Sequence, residues 1–110
     1  MIKVTVIKDK EDRYKGFSLE GHALYADAGK DVVCAAVSML AINTVNSIET
    51  LAGIDQEVES DKESGTLKIR FKQELNEKAE ILMDAFALCI NMAQKEYGKK
   101  YVTYKEIQDT

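Results

Sequence analysis

The chain has no proline, no tryptophan, one histidine and two cysteines among its 110 residues. A collagen-like chain requires regular proline and glycine, so that reading is excluded. Disorder is equally hard to sustain when 45% of residues are hydrophobic and the rest include both charge signs. One histidine and two distant cysteines do not supply a zinc set. Two cysteines also fall short of the disulfide framework of a small secreted domain. Cationic excess is missing too. The net charge of −4 argues against a phosphate-gripping nucleic-acid binder and favours a cationic peptide or protein partner.

No long hydrophobic run opens the chain. Met1-Ile2-Lys3-Val4-Thr5-Val6 reads as a strand and not as a signal peptide. The longest uncharged stretch, Val32 to Ile48, is short of the roughly 20 apolar residues of a membrane span and carries Ser38, Asn43, Thr44, Asn46 and Ser47. A soluble, cytoplasmic protein with no membrane contact is expected, with one domain over residues 1–110.

What is present is periodic. Ile2, Val4 and Val6 alternate with Lys3, Thr5 and Ile7, and Phe17 and Leu19 alternate with Gly16, Ser18 and Glu20. Period two marks half-buried strands, and the charged turn from Lys8 to Arg13 makes the pair a hairpin. A helix follows from about Asp31 to Ala52, with Gly53 closing it. It is uncharged all round its first four turns, so one side should cover the sheet and another could meet a second copy of the chain. Gln56–Ser60 is a weak strand and Thr66–Lys72 a strong one. A second helix starts at Glu74 or Asn76 and stops near Tyr97-Gly98. Val102 and Tyr104 belong to a last edge strand. The order β-β-α-β-β-α-β implies an α+β fold, two helices on a small, mainly antiparallel sheet.

The chemistry-bearing residues flank the first helix. Gly21-His22-Ala23 is followed by a loop of small and polar residues, then by Gly29-Lys30-Asp31-Val32-Val33-Cys34-Ala35-Ala36-Val37-Ser38. Asp31 suits an N-cap, which makes Cys34 the third helical residue. A helix start gathers unpaired N–H groups and partial positive charge, surroundings that favour thiolate over thiol. Imidazole is the side chain best suited to moving protons near neutral pH. The pair therefore has the parts of an acyl-transfer site, although a lone histidine and a helical cysteine are more often structural. Cys89, set between Leu88 and Ile90 in the second helix, is expected to be buried.

These two motifs at this separation resemble the signature of the ribosomal-processing cysteine proteases (Prp), and the resemblance extends to the opening strand, the Val45-Asn46 pair and the order of elements. It implies a sequence-specific endopeptidase without a cofactor or metal, with Cys34 as nucleophile and His22 as general base and acid. It also implies a homodimer that acts on the N-terminal extension of large-subunit ribosomal protein twenty-seven and binds no nucleic acid directly. Asp31 is either an orienting third residue or only the helix cap, Asp27 is the other nearby carboxylate, and a dyad without a third member is also open. Gly21 and Gly29 are candidate loop hinges or ordinary turn residues. Ser38, one turn beyond Cys34, could bond beside it or to its own backbone. Tyr25 and Met39 are conceivable walls of an apolar substrate pocket. Setting the resemblance aside, a non-catalytic ribosome-associated binding module and a redox-sensing thiol remain as alternatives.

Overall fold

The computed structural model describes residues 1–21 and 32–109. Its elements run β1 (Ile2–Lys8), β2 (Tyr14–Glu20), α1 (Val32–Ala52), β3 (Gln56–Asp61), β4 (Thr66–Phe71), α2 (Glu77–Tyr97) and β5 (Val102–Gln108). The expected order is therefore the observed one. The five strands form one sheet in the order β3-β4-β2-β1-β5.

Strand alternation assigns the two faces. Ile2, Val4 and Val6 of β1, Phe17 and Leu19 of β2 and Ile69 and Phe71 of β4 are buried on the helix-covered face. In register with them, Lys3, Thr5, Ser18, Lys68 and Arg70 occupy the open face. Three pairings are antiparallel, but β5 runs parallel to β1. The sheet is thus mixed. The reason is connectivity: α2 carries the chain across the sheet between β4 and β5, and a parallel neighbour requires a crossover of that kind.

α1 buries Val33, Val37, Ala41, Thr44, Val45, Ile48 and Ala52, a stripe close to helical period. The one buried polar side chain among these, Thr44, donates its hydroxyl to the Leu40 carbonyl at 2.8 Å. By length and a mean hydropathy of 1.5, α1 would suffice for a membrane span. In this fold the buried stripe instead faces the sheet and α2. The helix ends at Gly53, whose φ of 70° suits a residue without a side chain, and its N–H donates to the Glu49 carbonyl.

α2 begins at Asn76, one of the two starts anticipated. The Asn76 Oδ1 accepts from the Ala79 N–H at 3.0 Å while its Nδ2 donates to the Ala52 carbonyl at 2.8 Å. A single amide therefore caps one helix and ties down the end of the other. Ala79, Met83, Phe86 and Ile90 form the buried side of α2, and Phe86 meets Phe17 with ring centroids 4.6 Å apart. Cys89 is exposed, contrary to expectation. Adjacent residues of a helix are turned by about 100°, so burying Ile90 rotates Cys89 out of the core.

Candidate active site

Cys34 is the third residue of α1, half-buried, and not in a disulfide. It opens onto a cavity of about 400 Å³. Ser38 and Ile42 line the same cavity. Their four-residue steps place all three on one side of α1, a row turned about 100° from the buried stripe of Val33, Val37 and Ala41 and still packed against the core at Cys34.

The remaining walls come from the sheet. Ile2 and Leu19 contribute from the ends of β1 and β2, and Leu67 from β4. Val58, Ser60 and Asp61 contribute from β3, with Lys62 at the turn that follows it. The interior is predominantly apolar and the charged groups stand at one end. An extended peptide with a large apolar side chain fits such a lining.

Gly21 lines this cavity from the end of β2. Its φ is +92°, and a Cβ there would lie 2.4 Å from the Met1 carbonyl oxygen. Glycine is required at this point by the backbone itself. Gly21 also precedes His22 directly, so β2 delivers the chain to the cavity at the residue before the imidazole. His22, Tyr25, Asp27, Gly29 and Asp31 lie outside the described residues. The cap assigned to Asp31 and the hinge assigned to Gly29 lie there with them.

Met39, considered above as a pocket wall, is 67% exposed and lies off the cavity, because it sits one residue beyond Ser38 on the helix. Besides Ile2 and Leu19, the apolar walls are Ile42, Val58 and Leu67. The four-residue step from Cys34 points to Ser38 and Ile42 in the sequence. Nothing local marks Val58, a single apolar residue in an acidic strand.

A second depression, of about 410 Å³, lies on the open face around Gly16, Lys68 and Arg70. It contains neither cysteine. Among the described residues no three histidine, cysteine or acidic side chains gather to hold a metal ion. Of the two cysteines, Cys34 is the one that reaches the more apolar of these two cavities. The arrangement offers a nucleophile at a helix start beside a groove that an extended peptide can enter.

Comparison with known proteins agrees with this geometry. The crystal structure of a Streptococcus mutans protein superimposes with a TM-score of 0.85 at 34% identity, covering 99% of this chain and 96% of that one. The essential ribosomal processing protease Prp of S. aureus, solved with a covalently linked product peptide, gives a TM-score of 0.90 at 23% identity, covering 97% and 100%. In sequence, the chain is 26% identical to the ribosomal processing cysteine protease Prp of Bacillus subtilis over 101 residues, 88% of this chain and 90% of that protein. The family model of the cysteine protease Prp matches residues 1–103, and the chain belongs to that family.

Proposed function

We propose that this protein is a sequence-specific endopeptidase that removes the N-terminal extension of large-subunit ribosomal protein twenty-seven, with Cys34 as nucleophile and His22 as general base and acid. The observation that carries this reading is the opening of Cys34, in the first turn of α1, onto an apolar-walled cavity in a chain of a cysteine protease family. The names of the Bacillus subtilis and Staphylococcus aureus relatives, both ribosomal processing cysteine proteases, support the choice of substrate.

The chemistry follows from the groups. His22 takes the Cys34 proton, and the sulfur attacks the scissile carbonyl carbon. The backbone amides of Cys34 and Ala35, at the start of α1, are the donors nearest the developing oxyanion. His22 then protonates the leaving amine, which breaks the C–N bond and leaves a thioester on Cys34. Water, deprotonated by His22, hydrolyses that thioester and restores the thiol. Asp31 either orients the imidazole or caps the helix. Gly21 and Gly29 bracket the segment that carries His22 and would serve as its hinges. The walls at Ile42, Val58 and Leu67 receive a bulky apolar side chain of the extension.

The protein works in the cytoplasm as a homodimer on this reading. Both helices keep an unburied apolar side: Val32 and Met39 on α1, and Ile81, Leu88 and Met92 on α2. The last three follow helical spacing and form one continuous strip, the kind of surface that pairs with a second copy.

The test is incubation of the purified protein, and of its Cys34→Ala and His22→Ala variants, with the extended N-terminal peptide of its own ribosomal protein twenty-seven. Mass spectrometry should report one defined cut by the unaltered protein and none by either variant. Binding of the peptide without any cut would identify a recognition module instead.

A further inference from the structure

β3 occupies one end of the sheet and pairs only with β4 among the described residues. Its outer backbone groups thus meet no further described strand. Such an edge is a template for an incoming extended chain, and short, charged edge strands limit the partners it accepts.

The relation of β3 to α1 gives this edge a direction. At one end the Gln56 Nε2 donates to the Val45 carbonyl at 3.0 Å. Further along, Ile42, Ser38 and Cys34 of α1 line one cavity together with Val58, Ser60, Asp61 and Lys62. α1 therefore runs alongside β3 in the opposite sense, and the groove between them leads to the nucleophile. Ile42 and Val58 are each 51% exposed, two large apolar side chains half open to solvent within that groove.

The two faces of β3 differ in chemistry. Gln56, Val58 and Ser60 are in register with Phe71, Ile69 and Leu67 on the helix-covered face. Glu57 and Glu59 lie on the open face with Lys68 and Arg70. Glu57 is opposite Arg70 and Glu59 opposite Lys68, yet neither cross-strand pair closes to an ion pair within 4.0 Å. Their carboxylates can accept a further cation.

We infer that the peptide substrate binds as a sixth strand on the free edge of β3, leading its scissile bond to Cys34. Its side chains then alternate by the pleat. Those on the helix-covered side insert between Ile42 and Val58. Those on the open side lie beside Glu57 and Glu59, which select lysine or arginine there. Substrate recognition is thus divided between backbone pairing, an apolar row and a cationic row. The inference rests on the peptidase reading above, and it specifies how that peptidase holds its chain.

The experiment is a backbone N-methyl scan of the N-terminal peptide of ribosomal protein twenty-seven, one methyl per peptide, avoiding the scissile bond. Binding to the full-length Cys34→Ala variant is read by fluorescence anisotropy, and cleavage by the unaltered protein in parallel. Every second methyl should weaken binding about tenfold, the loss of one interchain hydrogen bond plus the added bulk, while those between change it less than about twofold. A Glu57→Lys/Glu59→Lys variant with an unchanged circular dichroism spectrum should weaken binding of a lysine-bearing peptide about threefold, and more at low salt. Alternation in binding supports edge pairing whether or not the peptide is cut. A flat methyl profile with cleavage intact overturns edge pairing and leaves the peptidase reading standing. Neither binding nor cleavage overturns both.

Discussion

Gly21 and Cys34 line one cavity, Gly21 from the end of β2 and Cys34 from the first turn of α1. The hairpin and the helix start are thereby brought to the same place, although the segment joining them is long. Strand pairing fixes the position of Gly21 through Lys3 and Glu20, and core packing of Val33 and Val37 fixes that of Cys34. The rigid parts of the fold therefore deliver both ends of the His22 segment to the site before that segment contributes anything.

Gly21→Ala should damage stability and activity together. At φ +92° a side chain is strained, and its Cβ would collide with the Met1 carbonyl oxygen at 2.4 Å. A loss of about 1–3 kcal/mol in chemical denaturation is expected, with kcat/KM for the peptide lowered even where the variant is fully folded.

Cys89→Ala should change stability by no more than about 0.5 kcal/mol and leave cleavage intact, because the thiol is exposed. Phe86→Ala, by contrast, removes a ring that is fully buried against Phe17 and should cost about 3–5 kcal/mol. Urea titration of the two variants separates the faces of α2.

A charge placed on the outer strip of α2 should split the proposed dimer. Leu88 is 64% exposed, so Leu88→Glu is tolerated by the fold of one protomer. Sedimentation equilibrium should give twice the 12.3 kDa chain mass for the unaltered protein and the single mass for the variant. A single mass for both would remove the dimer from the account.

Alkaline pH should reveal a coupled pair of phenols. Burial raises Tyr14 and Tyr104 above the usual tyrosine value, and hydrogen bonds to Asp84 and Glu106 add to it. Each phenol ionises more readily unfolded than folded. The stability they contribute is therefore present below about pH 10, the unfolded value, and is lost as pH rises towards their folded values. Near-ultraviolet absorbance should show their ionisation delayed until the fold yields, and Tyr14→Phe should make unfolding less steep above pH 10.

The elements were legible because their signals are local. Alternation in β1, β2 and β4, the spacing of α2 and the closing glycines at 53 and 98 are each contained in a few residues. Cys34 at the third position of α1 was readable for the same reason. The parallel pairing of β5 with β1 was not, since it depends on where α2 crosses the sheet. The apolar neighbours of Cys89 mislead, because residues adjacent in sequence do not share a helix face. The cavity walls at Val58 and Leu67 depend on β3 and β4 folding alongside α1, a tertiary fact with no local signature.

The most direct measurement is an acid-quenched single-turnover mixture of the protein with its ribosomal-protein peptide, read by intact mass and then by peptide mapping. The account predicts a transient adduct of the N-terminal fragment on Cys34, absent from Cys34→Ala and from His22→Ala. An adduct confined to Cys89, or undiminished cleavage by Cys34→Ala, would contradict it.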